Sequence, residues 1–176
     1  MGEREPFPPA KLILGVLYAP EYPPETFRPV LAEAFGPIDF WSDAIPFTFT
    51  DYYTGEMGSG LSRCFVSFQD LICPSRLWEY KILSNRAEER FPSPGGRGVN
   101  LDPGVLTLHS LILATTKNHS HRIPLSDGIY GEITLLYRKG AFHDLPWTYP
   151  DYRTEGYKTI LSEIRTILCS QLKHSP

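Results

Sequence analysis

Lys11-Leu12-Ile13-Leu14-Gly15-Val16-Leu17-Tyr18-Ala19 is a nearly continuous apolar run. Its length and its Ile, Val and Tyr content fit a buried strand. Such a strand is predicted to lie inside a sheet, flanked on both sides by hydrogen-bonded neighbours. The rest of the chain must supply those neighbours.

Downstream, Phe27, Val30, Leu31, Ala34 and Phe35 recur at helical spacing. Thr26 is predicted as the N-cap, which makes Pro29 the third helical residue, where an amide has no intrahelical partner. Gly36-Pro37 is a stop signal. Residues 38–49 read as extended with a bend at Pro46, and 51–60 as a loop. Residues 63–68 alternate like a strand. Pro74 and Ser75 open a second helix with the stripe Tyr80, Leu83, Ala87 and Phe91, extended by Leu77. After a Gly/Pro loop, residues 98–101 read as a short strand ended by an Asp102-Pro103-Gly104 turn. The order strand, helix, strand, strand, helix, strand is that of the split βαβ, or ferredoxin-like, motif.

Residues 106–116 are read as a short helix, because Leu108, Leu111 and Ile112 fit helical spacing. Residues 119–125, 129–138 and 141–145 form a meander, with turns at Ser126-Asp127-Gly128 and Lys139-Gly140. From Thr154 onward Tyr157, Ile160, Leu161, Ile164, Leu168 and Leu172 make one apolar face. The expected fold class is therefore α+β: a ferredoxin-like βαββαβ order in the N-terminal part, extended by a C-terminal antiparallel β-meander and a final amphipathic helix. Residues 1–10 are expected to be a flexible arm, and 11–176 a single domain.

The 176 residues are 41% hydrophobic and 21% charged, enough apolar material for a core. A net charge of −3 lacks the basic excess of a non-specific nucleic-acid binder, so a nucleic-acid partner is not expected. Cys64, Cys73 and Cys169 are odd in number and form no C-x-x-C pair, which argues against a disulfide framework and a zinc knuckle. The N-terminus does not read as a signal peptide. No apolar run approaches the roughly 20 residues of a membrane helix. A cytoplasmic location follows as the expectation, with no membrane partner.

Several segments could carry chemistry. Residues 50–60 carry Asp51, Tyr52, Tyr53 and Glu56 among three glycines, either a loop that closes on a ligand or a tyrosine-anchored connection. The phosphate-loop pattern G-x-x-x-x-G-K-[ST] is absent. Residues 95–98, Gly-Gly-Arg-Gly, can wrap an anion or simply be a surface loop. In 116–122, Lys117 and Arg122 suit phosphate or carboxylate, and His121 suits proton transfer. With a three-residue turn at 126–128, Arg122 is predicted opposite Glu132. The face of Tyr130, Glu132, Thr134 and Arg138 is either solvated or the floor of a cleft. Residues 147–153 either stack a base or sugar or latch the last helix to the sheet. No metal site and no cofactor is assigned.

Phe-Gly-Pro-Ile-Asp-Phe at 35–40, Thr-Asp-Tyr-Tyr at 50–53, Glu-Met-Gly at 56–58, Asn-Leu-Asp-Pro-Gly at 100–104, Ala-Thr-Thr-Lys at 114–117, Ser-His-Arg at 120–122 and Trp-Thr-Tyr-Pro-Asp-Tyr-Arg at 147–153 form a specific set. With them the chain, from about Lys11 to the last helix, resembles an uncharacterised bacterial family catalogued only as a domain of unknown function. The resemblance implies a bacterial cytosolic setting and brings no catalytic residues.

Two function classes compete. The first is a site for an anionic small molecule, a nucleotide or another phosphorylated metabolite. Lys117, Arg122 and Arg153 would hold its negative groups, and Tyr52, Trp147 and Tyr149 its apolar body. Asp51, Asn100 and Asp151 would add hydrogen bonds, and Asp102 or His121 would be the acid or base of any reaction. This class predicts that at least three of four stretches, those of Asp51 and Tyr52, of Asn100 and Asp102, of Lys117 to Arg122 and of Trp147 to Arg153, meet around one cleft that Lys117 or Arg122 makes locally positive. The second class is a non-catalytic module that meets a protein partner. RNA binding is weaker on the charge balance.

Overall fold

A computed structural model describes residues 2–174. Met1, Ser175 and Pro176, the ends of the expected arm and domain, lie outside the described residues. In chain order the elements are β1 (Ala10–Tyr18), α1 (Pro24–Phe35), β2 (Ile38–Trp41), β3 (Ile45–Pro46), α2 (Thr54–Met57), β4 (Ser62–Ile72), α3 (Leu77–Glu88), β5 (Pro92–Ser93), β6 (Gly96–Arg97), β7 (Val99–Leu106), β8 (Ser110–Thr115), β9 (Ile123–Ser126), β10 (Ile129–Arg138), β11 (Ala141–Asp144) and α4 (Glu155–His174).

The apolar run is β1, and all of it is buried. It pairs antiparallel with β4 on one side and β7 on the other. The main sheet has the order β11-β10-β8-β7-β1-β4-β2. Within it β7-β1-β4-β2 is the split βαβ arrangement expected from the element order: β1-α1-β2 straddles β4, and β4-α3-β7 straddles β1. The two faces of β1 differ in cover. Leu12, Leu14, Val16 and Tyr18 pack with Phe27, Val30 and Leu31 of α1 and Ala87 of α3. Ile13 packs on the opposite face with Tyr157, Leu161 and Ile164 of α4. The result is three layers, with α1 and α3 on one side of the sheet and α4 on the other. Gly2–Pro9 are exposed and form no regular structure. Among the described residues, no helix is long and apolar enough to cross a membrane.

Several local expectations need correction. Helix α1 begins at Pro24, not after Thr26, so Pro29 is its sixth residue. The helix accepts that proline on its exposed side and forgoes one backbone hydrogen bond. Residues 38–49 are not one extended segment; β2 and β3 pair separately with β4. The loop at 51–60 contains the single turn α2. Residues 106–116 are not helical: Thr107–His109 turn the chain back and β8 pairs with β7. The turn before β10 has two residues, Asp127 (φ 50°) and Gly128 (φ 74°), the left-handed pair that matches hairpin twist. Ser126 pairs with Ile129, and Pro124 pairs with Tyr130, so Leu125 is an extra, bulged residue. The bulge restores the register lost to the shorter turn, and Arg122 still meets Glu132.

The correction with most consequence concerns Asp102-Pro103-Gly104. No turn forms there; β7 runs straight through. Its ladder to β1 spans the whole strand, from Val99 to Leu106. Its ladder to β8 spans only Gly104, Val105 and Leu106. It stops at Pro103, which has no amide hydrogen to donate. Beyond that point β8 follows β10 and the sheet splits. Helix α3 fills the edge of β7 from below. The apolar stripe Tyr80, Leu83 and Ala87 packs on the sheet as expected, but a second stripe of Lys81, Ser84 and Glu88 is buried as well. Lys81 Nζ donates to the Leu101 carbonyl (3.0 Å), and the Leu101 amide donates to Glu88 Oε1 (2.7 Å). Two side chains thus take the place of a missing strand.

Candidate functional site

A cleft of about 680 Å³ opens where β7 and β8 part. Strand β7 presents Asn100 and Asp102, β10 presents Glu132, and α3 reaches in with Lys81, Asn85 and Glu88. The segments 47–53, 113–117 and 149–152 complete the walls.

Arg63 of β4 is the centre of the floor. It lies across Gly15 of β1, where a Cβ atom would come within 2.7 Å of Arg63 Nη1 and 2.9 Å of the Tyr152 hydroxyl. Only glycine admits this approach. Arg63 Nη1 donates to Asp102 Oδ2 (3.1 Å), and Nη2 is 3.7 Å from Asp151 Oδ2. The guanidinium also sits over the Phe47 ring at 5.4 Å. Burial works against the Arg63 charge, but Tyr152, Asp102, Tyr157 and Asp151 outweigh it and hold the pKa above its ordinary value. Burial raises the Tyr152 hydroxyl well above the usual phenol value and pushes Tyr157 up to about 12. Burial also works to raise Asp102, but the Arg63 and Lys81 charges and the Asn100 and Arg63 hydrogen bonds bring it below the usual carboxylate value. Asp151 and Glu88 go the other way, raised mainly by burial.

The cleft is charge-balanced rather than positive. Arg63, Lys81, Arg97 and Lys117 share it with Glu88, Asp102, Glu132 and Asp151. Arg97 is bound to Glu56 (3.0 Å) and Glu88. Neither Lys81 nor Lys117 has a carboxylate within ion-pair distance among the described residues; Lys117 Nζ donates to the Tyr52 hydroxyl (2.9 Å).

Of the residues expected in a site, Tyr52, Asn100, Lys117, Tyr149 and Asp151 line the cleft together with Asp102. Asp51, His121, Arg122, Trp147 and Arg153 do not. Asp51 is exposed in its loop. Arg122 stands behind the wall as a brace: Nε donates to Glu132 Oε2 (2.8 Å), Nη2 to the Tyr149 hydroxyl (2.6 Å) and Nη1 to the Lys117 carbonyl (2.8 Å). His121 Nε2 lies 2.9 Å from the same Glu132 oxygen, and its ring stacks on Trp147 at 5.1 Å. Trp147 donates to the Ile133 carbonyl, and Arg153 to the carbonyls of Thr148 and Pro146. These four make the latch that joins the segment before α4 to β10. His121 thus bonds Glu132 from behind the lining, Asp102 is held as the anion, and Asp151 and Glu88 are the carboxyls of the cleft that burial shifts toward the protonated form. Among the described residues, no group of three His, Cys, Asp or Glu side chains is placed to hold a metal ion.

Sequence reasoning missed Arg63, Lys81, Asn85 and Glu88. Each left a trace. Arg63 alternates in phase with the core residue Phe65 on a central strand. Lys81, Ser84, Asn85 and Glu88 fall at helical spacing, a polar stripe beside the apolar one.

Searches of curated proteins and of solved structures found no match. One family model does match, over residues 8–167. That span opens just before β1 and closes within α4, so it contains every residue that lines the cleft. The chain belongs to the family described as Domain of unknown function (DUF4416).

Proposed function

We propose that the cleft binds an anionic small molecule, a nucleotide or another phosphorylated metabolite. The observation that carries this reading is the pair of lysines, Lys81 and Lys117, that line one cleft with no carboxylate bound to either. Lys81 is buried with one carbonyl as its hydrogen-bond partner and feels the Asp102 and Glu88 charges only beyond ion-pair distance, while Lys117 is exposed and bonds a neutral hydroxyl. An anion entering the cleft would give both a direct partner. Tyr53, Tyr149 and Phe47 offer ring surface for the rest of the molecule. Asp102 serves binding rather than acid catalysis, because it is held ionised. The setting we propose is the bacterial cytoplasm. The family resemblance supports it, as do three cysteines that are all free.

The test is thermal unfolding against a panel of nucleotides, sugar phosphates and inorganic phosphate. A ligand at 100 times its Kd adds about 2.7 kcal/mol of stability, which raises Tm by several degrees. We expect Lys117→Ala to fold normally, since the side chain bonds only the exposed Tyr52, and to lose most of that rise. A panel in which no phosphorylated compound moves Tm, or a full rise retained in Lys117→Ala, defeats the reading.

A further inference from the structure

The unpaired groups of the cleft narrow the chemistry of the bound molecule; this step rests on the anion-binding reading above. Arg63 and Arg97 are each committed to two carboxylates. Among the described lining residues, Lys81 and Lys117 are the cations without an ion-paired carboxylate, so the cleft provides for one compact anionic group and not for a polyanion. It also holds groups that lack hydrogen-bond partners. Asp102 Oδ2 takes both Arg63 and Asn100, while Oδ1 takes nothing among the described residues, and the side chain is 26% exposed. Asn85 lines the cleft from α3, and its carboxamide makes no hydrogen bond among the described residues.

Asp102 Oδ1 is an acceptor in need of a donor, and Asn85 offers one donor group and one acceptor. A ligand ammonium suits Asp102 poorly, because Arg63 and Lys81 already stand beside that carboxylate and repel a further cation. Neutral hydroxyls meet no such repulsion. The rings of Tyr53, Phe47 and Tyr149 can cover the C–H face of a saturated ring. We propose that the ligand is a polyhydroxylated ring carrying a single anionic group, a sugar monophosphate in chemical class. Its hydroxyls lie on Asp102 Oδ1 and Asn85, and its phosphate lies toward Lys117.

Titration calorimetry on the full chain separates the two parts of the site. The probes are ribose 5-phosphate, glucose 6-phosphate, ribose, phosphoethanolamine and inorganic phosphate. At least one sugar phosphate should bind about tenfold or more tighter than inorganic phosphate. Asp102→Asn and Asn85→Ala should each bring that ratio of affinities toward one, with inorganic phosphate bound no more weakly than by the wild type. Asn85 has no hydrogen bond to lose among the described residues, so Asn85→Ala keeps the proposal testable where Asp102→Asn weakens the fold. Sugar phosphates no tighter than inorganic phosphate, or an advantage that survives both substitutions, overturn the inference and leave the anion reading standing. Phosphoethanolamine binding tighter than either sugar phosphate overturns the choice of hydroxyls. Free ribose that binds and is lost in Asn85→Ala, with no phosphate effect, sinks the anion reading and keeps the polyol. Binding of none of these probes removes both.

Discussion

At the scale of single residues, Gly15 and Asp102 show what a lone position can carry. Gly15 sits in the run whose reading opened the fold, and nothing in that run distinguishes it from a strand filler. Its role depends on Arg63 and Tyr152, which lie 48 and 137 residues further along the chain (63 − 15 and 152 − 15). Gly15→Ala must displace a guanidinium pinned between two carboxylates. We expect a loss of about 1–3 kcal/mol, seen as a lower urea midpoint; an unchanged midpoint refutes the close-packing account. Asp102 gives a prediction in pH. Its folded pKa is depressed, so its stabilising contribution is complete above the unfolded value of about 3.9 and disappears as pH falls through the lower folded value. The stability gap between wild type and Asp102→Asn is therefore expected to be constant from pH 7 to about pH 5, and to close below about pH 4. Urea titrations across that range measure it, and a gap that widens with acid contradicts the assignment. Asp102 itself is legible as a candidate because it stands in the Asn-Leu-Asp-Pro-Gly motif that carries the family resemblance. Its partner Arg63 was not, because a charged residue in an alternating strand reads first as an outward-facing one.

At the scale of elements, the sequence speaks clearly where one force dominates and poorly where two compete. Strand β1 and helix α4 are recognisable because apolar residues alone define them. Strand β8 is hidden in the sequence because Leu108, Leu111 and Ile112 fit a helical period, while the reversal at Thr107–His109 depends on the Thr107 hydroxyl, which donates to the Ser110 carbonyl and accepts from the Ser110 amide. Asp102-Pro103-Gly104 has the composition of a turn and serves as strand. Asp102 is tied to Arg63, and Gly104 lets the Leu113 side chain approach where a Cβ would lie 2.7 Å from it. The tie between α3 and β7 can be tested in the same terms. Glu88→Ala leaves the Leu101 amide buried without an acceptor, at a cost of about 1–3 kcal/mol. Glu88→Gln keeps an acceptor oxygen and should cost less. Amide exchange at Leu101 should be faster in the alanine variant than in the glutamine variant; equal rates mean that Glu88 does not hold the strand edge.

At the scale of the whole molecule, the gathering of residues 50–53, 100–102, 117 and 149–151 at one place was legible as an unusual density of polar and aromatic groups in separate stretches. The other half of the lining was not, because Arg63, Lys81 and Glu88 belong to elements that read as core. Only the strand order β7-β1-β4 and the position of α3 bring them to the same floor. The positive charge expected of the cleft is balanced instead, because Glu88 of α3 and Glu132 of β10 join Asp102 and Asp151 there. The short β7–β8 ladder has a mechanical consequence. Three residue pairs, Gly104 with Leu113, Val105 with Ile112 and Leu106 with Leu111, are the backbone seam between two panels. One panel is β2-β4-β1-β7 and the other is β8-β10-β11. Asp102 belongs to the first, and Lys117 follows the second directly, at the end of β8. A molecule held by both acts as a clasp across the seam. Its binding should slow amide exchange in β8 and β10 as well as in β7, at positions it never touches, and protection confined to β7 would mean that the panels already move as one plate.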